Sequence, residues 1–295
     1  MTCFSVAKNL RPAALVVAAC FGLSACLAAN SALAPASVPN LAEAEAPEVS
    51  RTTPDWLNLH FEISDRSARL PQFSWDQVIF HAKPGDCSKH RDAAGPSDCA
   101  IRTTRSVIAK NQIWQQELDF KVGQRYLLTF DFWVDPDFIA SGSPAKVSLA
   151  RWYGSRLSQN PLFEVELDTR RGVTFLGTTC VSAKDLGGWH RFSVRMRLAE
   201  DDTGFVEMRC DSALKVGQPL LAKSNIVTTQ PWHCAFGAPC RRKYPTPDQF
   251  SVELGIIADP VRGRFAPLPA EGLTVRMKRI EVKRLLVIIG RVEDL

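Results

Sequence analysis

The stretch "AKVSLARWYGSR" (residues 145–156) holds residue types that could do chemistry. Its apolar–polar alternation reads as a β-strand, so Arg151 and Tyr153, two apart, share one face. An arginine offers a planar fork of donors that matches a carboxylate or sulfate. A tyrosine can take and return a proton if nearby cations lower its pKa from about 10. The pair could hold an anionic group and move a proton beside it, or could be two rim residues of an ordinary sheet. Trp152 lies between them and reads either as a stacking platform or as a core side chain. A second arginine set follows in "WHRFSVRMRL". There Arg191, Arg195 and Arg197 fall on one side of a strand, and His190, Phe192, Val194, Met196 and Leu198 on the other. The stripe could line a groove for an anionic ligand or be a solvated outer face. His190, on the apolar side, reads as a core histidine.

The elements that must position these residues are strands. From residue 120 onward apolar and polar residues alternate in "YLLTFDFWV", "PLFEVELDT", "WHRFSVRMRL", "GFVEMRC", "FSVELGIIA" and "LTVRMKRIEV". Turn signals such as "DLGG", "EDDTG" and "DPVRG" separate the runs. Period-two alternation of this kind predicts antiparallel sheets with one face buried, and no amphipathic helix of three turns interrupts them. The expected fold class is all-β, a sandwich or jelly roll of two antiparallel sheets.

The N-terminus reads as a targeting segment. "MTCFSVAKNLRP" carries positive charge, and "AALVVAACFGL" is an apolar run of 11 residues, short of the ~20 a membrane span needs. "LSAC", Leu23 to Cys26, resembles the lipobox of bacterial lipoproteins, in which the cysteine is acylated and becomes the mature N-terminus. The alternatives are a simple secretory signal cleaved near Ala34 and an uncleaved anchor. The expected organisation is a signal peptide over 1–25, a lipid-anchored Ala/Pro/Ser-rich tether over 26–54, and a single folded domain over 55–295. Such a coil reaches roughly 30 Å from its anchor. The expected location is the bacterial cell envelope, with membrane contact through the lipid alone.

The formal net charge is +5, and residues 1–25 carry two of its cations, Lys8 and Arg11, and no acid. Basic residues are interspersed with acids, which argues against nucleic acid as a partner. The chain has nine cysteines. Cys3 and Cys20 leave with the signal and Cys26 carries the lipid. The six others imply disulfides in an exported protein, with about 15 possible pairings. Cys87–Cys99 and Cys234–Cys240 look local. That leaves Cys180 and Cys210. If residues 173–180, 189–198 and 204–210 form one meander, the outer strands lie ~9.5 Å apart, too far for a disulfide. Either one of these cysteines sits past its strand end or the pairing is different. Zinc at His233, Cys234 and Cys240 is a rival reading of that segment.

The order of "GDCSKHRDAAGPSDCAIRTTRSVIAK", "KVGQRYLLTFDFWVDPDF", "KVSLARWYG", "LGGWHRFSVRMRLAEDDTGFVEMRCDSAL" and "FSVELGIIAD" resembles the heparin-lyase-like polysaccharide lyases. These are relatives of alginate and glucuronan lyases with a concanavalin A-like jelly roll. The resemblance spans about residues 60–285 and rests mainly on fold-defining segments. It implies cleavage of an acidic, uronic-acid polysaccharide by β-elimination. That reaction needs a cation or donor on the C6 carboxylate, a base for the C5 proton and an acid for the departing O4. The family places an arginine on an early strand, for which Arg102 and Arg105 are the candidates. It places Gln-x-His on a central strand, where this chain has Arg151 and Tyr153, and a tyrosine on a late strand, where it has Ile257. Trp152 would stack on a sugar ring, and Arg191, Arg195 and Arg197 would line the groove. The alternative is a glycan-binding or structural envelope lipoprotein that has lost the catalytic set. No cofactor is expected, though the turns "EDDTG" and "DPDF" leave room for a structural calcium ion. The chain has no G-x-S-x-G, H-E-x-x-H or phosphate loop. "FEVELD" puts Glu164 and Glu166 on one face without the E-x-D-x-x-E spacing of glycoside hydrolases of this fold.

Overall fold

A strand with one face buried presents every second side chain to the core, and this chain does so repeatedly. The structure, a computed structural model, describes residues 54, 57, 61–90, 96–110, 121–142, 145–153, 161–211, 219–228, 232–233, 242–243, 251–288 and 291–294. In chain order the first strands are β1 (Phe61–Ile63), β2 (Gln72–Phe73), β3 (Gln77–Ala82), β4 (Thr104–Lys110), β5 (Arg125–Val134) and β6 (Lys146–Tyr153). Next come β7 (Phe163–Asp168), β8 (Gly172–Phe175), β9 (Thr178–Val181), β10 (His190–Arg197), β11 (Gly204–Cys210) and β12 (Leu221–Ile226). The last are β13 (Trp232–His233), β14 (Arg242–Lys243), β15 (Ser251–Ala258), β16 (Leu273–Ile288) and β17 (Arg291–Asp294). Two short helices, α1 (Asp98–Ile101) and α2 (Pro136–Ala140), are capped by Ser97 and Asp135.

One antiparallel sheet has seven strands in the order β1-β4-β15-β6-β7-β8-β9. The other has eight, β12-β11-β10-β5-β16-β3-β2, with β17 paired to β16. The chain passes between sheets from β3 to β4, to β5 and to β6, and these strands pair with distant ones, β4 with β15 and β5 with β16. This is the connectivity of a jelly-roll β-sandwich, the architecture expected from the alternation.

The core lies between the sheets. Tyr126, Leu128, Phe130, Phe132 and Val134 of β5 are all buried, as their spacing predicts. A chain of rings crosses the interior: Trp152 on Phe175 at 6.0 Å, Phe175 edge-on to Phe192 at 5.7 Å, and Phe192 on Phe130 at 5.2 Å. Edge and tilted contacts add to the apolar area such rings remove from water. Close approach of the layers also needs a glycine at 255. Its φ is 137°, and a Cβ there would lie 2.3 Å from the Ser106 carbonyl oxygen and 2.8 Å from the Phe80 ring. The pairing of β15 with β6 shifts register between Leu254 and Ile257, across this glycine.

Two expectations about the cysteines separate here. Residues 173–180 do not join 189–198 and 204–210 in one meander. β8 and β9 end the seven-stranded sheet, whereas β10 and β11 belong to the other. The "DLGG" segment is thus a crossing between sheets, and Gly187 is tied down by the Trp133 indole N–H, which donates to its carbonyl at 2.8 Å. Cys180 and Cys210 face each other across the sandwich with Cα atoms 5.6 Å apart and form a disulfide. Cys87–Cys99 is also formed. The signal segment, Cys26, Cys234, Cys240 and their alternative zinc reading lie outside the described residues.

Candidate functional site

Strand β6 turns Val147, Leu149, Ala150 and Trp152 into the core, leaving Ser148, Arg151 and Tyr153 on the opposite face of the seven-stranded sheet. The neighbouring strands add side chains to the same face. In register, Arg151 lies between Glu253 of β15 and Glu164 of β7. Arg105 of β4 lies beside Ile257 of β15. The result is a charged cluster on four adjacent strands, closed at one end by α1.

Arg105 is fully engaged. Its Nε donates to Asp98 Oδ2 at 2.9 Å, Nη2 to Asp98 Oδ1 at 3.3 Å, and Nη1 to Glu253 Oε2 at 2.6 Å. The Tyr153 hydroxyl donates to the same Glu253 oxygen at 3.1 Å. Arg151 Nη1 donates to Asp259 Oδ1 at 3.1 Å, and Nη2 donates to Asp259 Oδ2 and, at 3.0 Å, to Ser148 Oγ. Glu164 Oε2 stands 3.3 Å from Arg151 Nη2. Burial alone would lower both guanidinium pKa values. Glu253, Tyr153 and Asp98 outweigh it at Arg105, and Tyr153, Asp259 and Glu164 at Arg151, so both cations are held above the ordinary arginine value. Burial pushes the Tyr153 phenol up to about 12, with Glu253 adding to the rise and the two arginines opposing it. Burial likewise pushes the Asp98 carboxyl up against the pull of Arg105.

This environment corrects the expectation of an open groove. Arg151, Tyr153 and Arg105 are 4%, 8% and 3% exposed. The arginines do not lower the tyrosine, because burial and the Glu253 carboxylate outweigh them. Tyr153 is therefore suited to giving a proton and poorly suited to taking one at neutral pH, where its phenol stays protonated.

The other candidates are placed elsewhere. Arg102 is exposed and caps α1 with φ of 62°, donating to the Gly263 carbonyl. Trp152 is 1% exposed and packs on Phe175, so it is a core residue and offers no face to a sugar. Arg191, Arg195 and Arg197 lie on β10, in the eight-stranded sheet, with the sandwich core between them and Arg151. They line no common groove with it. Arg191 is paired with buried Asp131, which also binds Arg279; Arg195 is paired with Glu207; Arg197 donates to the Thr203 carbonyl. His190 packs on Phe132, but its nitrogens meet Asp211 Oδ2 at 2.6 Å and the Asp185 carbonyl at 2.9 Å. Among the described residues no group of three or more His, Cys, Asp or Glu side chains is placed to hold a metal ion. In the acidic turns, Asp201 accepts from the Thr203 N–H and hydroxyl, and Asp135 from the Asp137 N–H.

Sequence reasoning missed the acids that complete the cluster: Asp98, Glu253 and Asp259. Glu253 carried a usable signal, as a polar residue between apolar Val252 and Leu254 on a central strand. Asp98 carried none, because it reaches Arg105 only through the turn of α1 onto β4, and Asp259 carried none, because only tertiary contact brings it to Arg151.

No family model and no curated protein matches the chain. Among solved structures, it is similar to an endo-β-1,4-glucuronan lyase from the fungus Trichoderma reesei, at 12% identity and a TM-score of 0.45, over 75% of this chain and 86% of that one. It is similar to an alginate lyase from Corynebacterium sp. at 10% identity and a TM-score of 0.45, over 74% of this chain and 82% of that one. It is also similar to the binding domain of botulinum neurotoxin serotype D, at 8% identity and a TM-score of 0.39, over 75% of this chain and 42% of that one.

Proposed function

We propose that this is an exported, lipid-anchored protein of the polysaccharide-lyase type, which takes an acidic, uronic-acid polysaccharide at the outer face of the seven-stranded sheet. The observation that carries this reading is the gathering of Arg105, Arg151 and Tyr153 around Glu253 on three adjacent strands. Arg151 is the cation for the sugar carboxylate, the interaction that acidifies the C5 proton in β-elimination. Tyr153, with its phenol held near 12, is the proton donor to the departing O4. Glu253, which accepts from Tyr153, is the carboxylate that would receive the C5 proton. Transfer from Glu253 back to the phenolate would then reset the pair.

A second reading is binding without turnover. It is favoured by one specific observation: both guanidinium groups are already paired with carboxylates of the chain itself. The two are separated by incubating the protein with alginate, glucuronan and heparin-type chains, following the ultraviolet absorbance of the unsaturated product and, separately, polymer binding. The lyase reading expects absorbance to rise for the wild type and not for Tyr153→Phe, with binding nearly unchanged in the variant. Binding with no rise on any polymer leaves the non-catalytic reading. Neither binding nor turnover would overturn both.

A further inference from the structure

The two buried guanidiniums are neutralised by carboxylates of unlike accessibility. Around Arg105, the Asp98 and Glu253 side chains are 0% and 10% exposed. Around buried Arg151, the Glu164 and Asp259 side chains are 25% and 54% exposed. Asp259 is thus the one carboxylate in the cluster that water reaches freely, yet it holds Arg151 through both oxygens. It sits immediately after β15, next to Pro260, and leads into the exposed turn Val261–Arg264. Its place is set by the end of a strand, and among the described residues its side chain has no hydrogen-bond or ion-pair partner other than Arg151. Arg151 Nε is buried and finds no partner among those residues.

We infer that Asp259 occupies the position of a ligand carboxylate, and that a uronate binds by taking its place on Arg151. The exchange balances in hydrogen bonds. Two N–H···O bonds to the aspartate are given up, two to the incoming carboxylate replace them, and the buried cation is never left unpaired. Asp259 swings into solvent, where an exposed carboxylate is well hydrated. Arg105 has no such partner to release, so the carboxylate subsite is at Arg151 and not at Arg105. The identity of the ligand as a uronic-acid chain rests on the function proposed above; the exchange itself does not.

The resident carboxylate lowers apparent affinity by the fraction of time it leaves the fork free. The full chain is compared with Asp259→Ala and with Asp259→Asn, which keeps a side chain of the same shape without the charge. Each is tested with sodium acetate against sodium chloride at equal ionic strength, and with a short oligoglucuronate or oligomannuronate. Acetate should raise the thermal midpoint of both variants and leave the wild type unmoved. The oligouronate should bind the variants about tenfold tighter or more, as expected if the fork is free less than a tenth of the time. Adding Arg151→Ala to Asp259→Asn should abolish both effects. No acetate response in either variant, or an oligouronate that binds the wild type and binds the variants no tighter, would overturn the exchange. An acetate response with no oligouronate binding in any protein would uphold the exchange and overturn the polysaccharide reading.

Discussion

Tyr153 shows how far burial can move a single group. On an open strand it would titrate near 10, as a free tyrosine does. Here burial, then Glu253, pushes it up to about 12. The folded value lies above the unfolded one, so the stability this phenol confers is fully present below about pH 10. It is lost as the pH rises towards 12, because the unfolded chain releases the proton first. Over that interval the loss from Tyr153 is about 2–3 kcal/mol. Urea unfolding of the wild type and of Tyr153→Phe between pH 9 and 12 should therefore show a steeper decline for the wild type. Parallel declines would mean the phenol ionises as freely folded as unfolded. The same burial revises what Arg151 does for the fold. Its removal would take the cation from Glu164 and both donors from Asp259, while Ser148 and Glu164 still hydrogen-bond each other, so it contributes to stability as well as to any ligand.

At the scale of elements, β9 and β11 matter more than their lengths suggest. They lie in different sheets, and Cys180–Cys210 joins them covalently across the sandwich, closing a separation of 30 residues. Cys87–Cys99 closes only 12. In the chain-entropy account the longer closure removes more freedom from the unfolded state, about 3–4 kcal/mol against somewhat under 3. Replacing Cys180 and Cys210 together by serine should cost more stability in urea than replacing Cys87 and Cys99, and should lower the unfolding midpoint accordingly. A smaller loss at Cys180 and Cys210 would show that the sheets are held by their ring contacts alone. The strands between these cysteines also explain the arginine stripe. Once β10 joins the eight-stranded sheet, Arg191 and Arg195 meet Asp131 and Glu207 on that sheet's outer face and are spent on those pairs.

For the molecule as a whole, the proposed lipid anchor can be tested apart from any chemistry of the sandwich. A thioether to lipid requires the Cys26 sulfur, and two or more alkyl chains give durable attachment to a leaflet. Cys26→Ser should leave the protein in the soluble fraction after cell breakage and a salt wash, with the wild type in the membrane fraction. Retention of the variant on membranes would point to an uncleaved apolar segment in place of an acylated cysteine.

Much of the fold was legible along the chain because alternation belongs to each strand by itself. Successive side chains point to opposite faces whatever the partner. "YLLTFDFWV" therefore declared its buried residues, and "LARWY" declared that Arg151 and Tyr153 share a face. The local Cys87–Cys99 pair was legible for a similar reason, since short separation brings its ends together. Which strands pair is a property of the whole chain. Only the tertiary structure put β9 and β11 in different sheets, and so decided a Cys180–Cys210 pairing that strand spacing had left open. Only it folded nearby Asp98 back onto Arg105 and brought Glu253 and Asp259 to the two arginines from distant parts of the chain. Electrostatics made that decisive. A charge or a phenol answers to whatever lies within a few ångströms and to the water excluded around it, and neither is written in the spacing of residues along one strand.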